Sequence, residues 1–384
     1  VGAALLVLAL ASPVLAQDVP CSTLPSPVYG IGGSAQKPTV ADFAIAFANA
    51  ADPFTLIYQS PGACFAMGSL IDGVPITGSA SYWLADGTER TCTLPLTGVA
   101  ADYGIMGNTP TTCNGVEALP GSVGIFEGAV LGWNLIVPNA STQQVISSEA
   151  LYFVYAFGPE GRAAPWTDPA QINSRNTTSA AGIAVAAAGG FPPERLFDND
   201  VRTNVQMVTN LSASTNPEAA IGFVSGDVAD RARDRVRTLA YQHRGQRAGF
   251  WPDSSATSFD KRGIRFGTYW LWTATYFYAP VGSDGRPLNA NAARFIDFAT
   301  GAIPPTDEVP AFDLLVGGSN IPRCAMHVNR RGDYTELFPW EAPVPCDCYY
   351  ESLATGATTC TPCGEDAQCG GDTPFCRFGF CEGR

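Results

Sequence analysis

Two stretches of the chain carry residues that can hold an anion without any catalytic chemistry. Gly33, Ser34, Ala35 and Gln36 stand just before a segment with helical spacing, and Thr178, Ser179 and Ala180 stand at the head of an alanine-rich one. The first N–H groups of a helix lack intrahelical partners and carry a partial positive charge, so a loop of small and hydroxyl residues there can cradle an oxyanion. Arg175 lies four residues before Ser179, near enough for its planar fork to meet the same anion bidentately. Each residue also has a plain structural reading. The glycines permit a tight turn, Ser179 caps its helix, and Arg175 is a solvated charge.

Other chemistries find little support. The only histidines are His243 and His327, and there is no Gly-x-Ser-x-Gly elbow, phosphate loop of the Gly-x-x-x-x-Gly-Lys type or His-Glu-x-x-His helix. No enzymatic activity and no cofactor are expected. A net charge of −13 over 384 residues argues against nucleic acid as a partner. The most basic stretch, Arg231 to Arg265, is expected to form a solvated helix face with Asp230 and Asp234 as intrahelical partners.

The elements that must position these residues follow an α/β pattern. Short apolar strands at Phe54–Tyr58, Asp102–Ile105, Ala129–Val137 and Ala220–Val224 alternate with helical stretches. Val40, Phe43, Ala44 and Phe47 recur at helical spacing behind Pro38, a residue suited to a first turn. Ala180–Ala188 runs from a Thr-Ser cap to Gly189-Gly190, so both ends carry helix signals. The aromatic block from Trp251 to Trp272 reads as core or lobe interface.

At the N-terminus, the apolar run Val1–Ala11 and the Val14-Leu15-Ala16 site read as part of a secretory signal covering residues 1–16. Twelve cysteines fit an oxidising compartment. Seven of them crowd between Cys346 and Cys381, an odd number, so at least one should pair outside that segment. Cys360-Thr-Pro-Cys363 has a metal-ligand spacing, but no histidine lies nearby, and disulfides are the expected use. From about Glu341 the periodicity gives way to Pro, Cys, Gly and Thr, which predicts a separate module over 341–384 stapled by disulfides.

The order of motifs resembles the periplasmic phosphate-binding protein family of ABC importers. Tyr29-Gly-Ile-Gly-Gly-Ser-Ala35 is similar to its first glycine-rich loop, and Phe126–Pro138 to the strand that crosses between lobes. Ile146–Gly158, Pro165-Trp-Thr-Asp-Pro169, Ser174-Arg-Asn-Thr-Thr-Ser179 and Ala220-Ile-Gly-Phe-Val224 follow in the family's order. The resemblance implies a two-lobed type 2 periplasmic binding protein fold with two crossing strands. Lobe one would cover 17–125 and a return over 266–340, and lobe two 126–265. It adds a contact at Gly62-Ala63-Cys64, which it places at another helix start. It implies an extracytoplasmic protein, periplasmic, secreted or at the cell surface, that captures phosphate or a related oxyanion and meets an ABC permease or another envelope partner. Two departures stand out. Met106-Gly107 occupies the place of the family's Ser-Asp, and Ala180-Ala181 that of its Gly-Thr. They leave open a second reading, an adhesion or interaction protein that kept the scaffold and lost the ligand.

Overall fold

The computed structural model describes residues 19–383 apart from 114, 178, 198, 200 and 202. The expected signal over residues 1–16 and the cap residue Thr178 lie outside the described residues.

The first lobe is built on parallel strands Pro27–Gly32, Thr55–Gln59 and Tyr103–Met106, with Pro27–Gly32 in the middle. Ser79–Trp83 and Glu89–Thr93 extend one edge antiparallel. All four residues of Tyr103–Met106 are buried, as expected of a strand covered on both faces. The helix Lys37–Ala48 buries Val40, Phe43, Ala44 and Phe47, the residues its spacing singles out, with Pro38 in its first turn. Phe295 of the helix Ala290–Thr300 meets Phe43, Phe47, Tyr103 and Phe277 edge-on and closes this core.

One strand ties the lobes together. Val123–Pro138 spans 16 residues, about 50 Å of extended chain. Its first part pairs antiparallel with the returning strand Trp272–Pro280, from Val123↔Pro280 to Gly132↔Trp272. From Trp133 onward the same strand pairs with Gly222–Ser225, and further along with Val236–Thr238. Trp272–Pro280 also pairs with Tyr103–Met106, so two neighbouring strands carry the chain out of the first lobe and back. The helix Ala180–Gly189 is buried on nearly all faces, which its small side chains permit, and it ends at Gly190 in the left-handed conformation.

All twelve cysteines are paired, as Cys21–Cys92, Cys64–Cys113, Cys324–Cys346, Cys348–Cys360, Cys363–Cys376 and Cys369–Cys381. Cys346 is the tail cysteine that pairs with the body. The C-terminal region is disulfide-rich, yet its first part is not separate from the body. Tyr350 of the helix Asp347–Thr355 is buried in the large core cluster, and Arg265, 1% exposed, forms ion pairs with Asp347 and Glu351. Phe378 packs on Phe312, and the Tyr349 hydroxyl donates to Asp313. About forty residues cannot bury a core of their own, so the tail borrows that of the body.

Glu382 makes this docking sensitive to pH. Its buried carboxylate accepts the Cys348 N–H at 2.7 Å, and desolvation raises its pKa from 4.5 to about 7, with Asp347 and Glu351 adding to the rise. A carboxyl whose folded pKa is raised contributes stability at low pH and loses it as pH climbs through that value. Thermal unfolding should therefore fall by a few degrees between pH 5 and 8, and Glu382→Gln should flatten that part of the profile.

The basic stretch is not a solvated helix face. Helix is confined there to the end of Gly226–Arg231 and the short Arg262–Arg265, and Asp234 lies exposed, 3.7 Å from Arg235. Lys261, 2% exposed, contacts Asp230 at 2.7 Å and Asp253 at 2.9 Å, and Arg233 contacts the same two carboxylates. The fold draws Asp230 and Asp253 inside, and buried carboxylates need cations beside them. In the aromatic block, Tyr269 and Trp272 are core residues.

Candidate functional site

A cavity of about 260 Å³ opens between the lobes. Gly33–Gln36 and Ser60–Ala63 line it from the first lobe. Arg175, Asn176, Ser179–Ala181, Thr203 and Asn204 line it from the second, and Trp133 of the crossing strand stands between them. Eight of the residues the sequence singles out meet here: Gly33, Ser34, Ala35, Gln36, Ala63, Arg175, Ser179 and Ala180. Cys64 does not. Its sulfur is bonded to Cys113, and the residue borders a different cavity beside Phe65 and Val74.

Three helices start at this cavity. Lys37–Ala48 is entered through the turn Ser34–Gln36, Ala180–Gly189 through Ser179, and Asn204–Ser212 through Thr203. Ser179 Oγ accepts the Gly182 N–H at 3.0 Å and donates to the Asn176 carbonyl at 2.9 Å. Its hydroxyl is therefore a cap, and what it presents to the cavity is the start of its helix, where the N–H groups of Ala180 and Ala181 have no intrahelical acceptor. Thr203 caps the third helix by accepting the Gln206 N–H at 3.1 Å.

Arg175 is 8% exposed and donates from Nη1 to Asn204 Oδ1 at 2.8 Å. Asn204 in turn donates to Ser225 Oγ at 3.1 Å, at the end of the strand Gly222–Ser225. The guanidinium is thereby anchored to the second-lobe sheet rather than solvated. It is the only charged side chain among the described lining residues.

On the first-lobe side, Gln36 is 3% exposed, and neither its Oε1 nor its Nε2 has a hydrogen-bond partner within the chain. Its carboxamide lies in a slot between two glycines. A Cβ at Gly33 would sit 2.6 Å from Oε1, and one at Gly107 would sit 3.0 Å from Nε2 and 3.1 Å from Trp133 Cζ2. Trp133 is fixed by its Nε1–H, which donates to Thr273 Oγ1 at 2.9 Å. Gly33 is held by Tyr58, whose hydroxyl donates to its carbonyl at 2.8 Å.

No family model matches the sequence, and no curated protein matches it either. Solved structures do. A putative phosphate ABC transporter substrate-binding protein from Clostridium perfringens, solved with bound phosphate, superposes with a TM-score of 0.50 at 13% identity, over 77% of this chain and 99% of that one. The chain adopts the periplasmic binding protein fold. An ABC-type phosphate transport receptor from Vibrio cholerae matches over 77% of this chain and 99% of its own, with a TM-score of 0.48 and 15% identity. A possible phosphate binding protein from Planctomyces limnophilus matches at 0.46 and 12% identity, over 78% and 94%.

In this binding-protein fold the cavity lies beside the crossing strand, bordered by both lobes. Gly107, at one of the two departures from the resemblance, is not a lining residue but lies against three that are, Gln36, Trp133 and Ala180. Sequence reasoning missed Asn204 and Thr203. The signal was present in Thr203-Asn-Val-Gln206, a hydroxyl residue followed three positions later by glutamine, the pattern of a capping box.

Proposed function

We propose that this protein is an extracytoplasmic solute-binding protein that captures phosphate or a related tetrahedral oxyanion between its lobes and hands it to an ABC permease. The observation that carries this reading is the convergence of three helix N-termini and the anchored guanidinium of Arg175 on one cavity of about 260 Å³. Such a wall supplies helix N–H donors and a guanidinium, groups that suit an oxyanion. It offers binding groups rather than a nucleophile with a base beside it, so capture and not bond-breaking is the function proposed. Six disulfides support export, since such bonds persist in oxidising compartments. Among the described residues no helix is long and apolar enough to cross a membrane.

The test is thermal unfolding in the presence of phosphate, arsenate, sulfate, carboxylates and nitrate. A ligand at about a hundred times its Kd stabilises by about 2.7 kcal/mol, a readily measured shift in midpoint. Stabilisation by at least one tetrahedral oxyanion is expected, and none at large excess would refute the reading.

A further inference from the structure

Gln36 is a buried side chain of the cleft whose polar atoms have no partner within the chain, and its arrangement carries consequences for selectivity. A buried polar group without a partner costs about 1–3 kcal/mol, so two such atoms on one side chain mark a place where a bound group completes the hydrogen bonding. Gln36 meets that description, with both atoms unpaired at 3% exposure beside the cavity. The backbone makes room for it on both sides, because any side chain at Gly33 or Gly107 would press on the carboxamide.

The chemistry of that group decides what it can read. A carboxylate only accepts hydrogen bonds, so it would demand a proton on the anion and turn away fully ionised ones. A carboxamide donates from Nε2 and accepts at Oε1, and it pairs with an anion oxygen in either state. We infer that Gln36 reads the bound anion directly and that it makes the cleft a receptor for tetrahedral oxyanions whether or not they carry a proton, sulfate as well as phosphate. This rests on the oxyanion reading above and narrows it to a ligand class defined by shape and charge rather than by protonation.

The experiment is calorimetric titration of the full chain with phosphate and with sulfate at pH 6, for the unaltered protein, Gln36→Glu and Gly107→Ala, with far-UV circular dichroism to confirm folding. The unaltered protein should bind the two anions within about tenfold of each other. Gln36→Glu should keep phosphate within about tenfold while weakening sulfate by about a hundredfold or more, the discrimination expected when a site must hydrogen-bond a proton one ligand lacks. Gly107→Ala displaces the carboxamide without changing its chemistry, so it should weaken both anions about tenfold and leave their ratio alone. Phosphate binding with sulfate rejected by the unaltered protein would overturn the inference and leave the oxyanion reading standing. An unchanged ratio in Gln36→Glu would also overturn it. Binding of neither anion would overturn both.

Discussion

Arg175→Ala is expected to abolish oxyanion binding, with a loss of at least about a hundredfold in affinity and no thermal stabilisation by phosphate at concentrations that saturate the unaltered protein. The guanidinium is the one charged side chain among the described residues of the cavity wall, and it is held in place through Asn204 and Ser225. A hydrogen bond to a charged group contributes about 1.5–3 kcal/mol, so loss of a two-pronged contact exceeds a hundredfold in Kd. Arg175→Lys keeps the charge and loses the fork, and it should fall between the two. Because Arg175 also steadies the start of the helix Asn204–Ser212, the ligand-free protein should melt slightly lower in both variants. Retention of full affinity in Arg175→Ala would remove the residue from the site.

The second large effect concerns stability. Lys261→Met leaves the carboxylates of Asp230 and Asp253 inside with Arg233 alone to face them, and removing one partner of a buried ion pair costs about 3–5 kcal/mol. Desolvation already raises the Asp253 carboxyl above its ordinary range, Lys261 opposes that rise, and Asp230 adds to it. Without Lys261 the folded pKa climbs further. The sign follows from linkage. A carboxyl with a raised folded pKa binds its proton more tightly in the folded protein, so the loss is largest at neutral pH and shrinks as pH falls toward the unfolded value. Urea unfolding at pH 7 and pH 5 should show the defect of Lys261→Met diminishing at the lower pH. An equal loss at both would contradict the assignment.

Much of this architecture is written in local sequence. The helix Lys37–Ala48 follows from Pro38 and four apolar residues at helical spacing, and Ala180–Gly189 from its cap and terminal glycines. The crossing strand was legible as an apolar run, although it starts at Val123 and its dual pairing depends on partners about a hundred residues away or more. The buried network around Lys261 was not legible. Spacing suggested intrahelical pairs for the Arg231–Arg265 stretch, whereas the ladder of contacts joins residues 20 and more apart once the loop Trp251–Lys261 folds back. The docking of the tail was hidden for the same reason, since Tyr350 reads as an ordinary aromatic until Arg265 and the core cluster surround it. Eight of the nine residues expected at a site line one cavity, because helix starts announce themselves locally. Cys64 borders another cavity, and its pairing with Cys113, 49 residues on, is not visible in local sequence.

The most direct test of the central claim is a crystal structure of the protein grown with millimolar phosphate. A tetrahedral anion is expected in the cleft, within hydrogen-bond distance of Arg175 and Gln36 and facing the helix starts at Gly33–Gln36 and Ser179–Ala181. Phosphate bound elsewhere on the surface, with Arg175 and Gln36 contacting no anion, would contradict it.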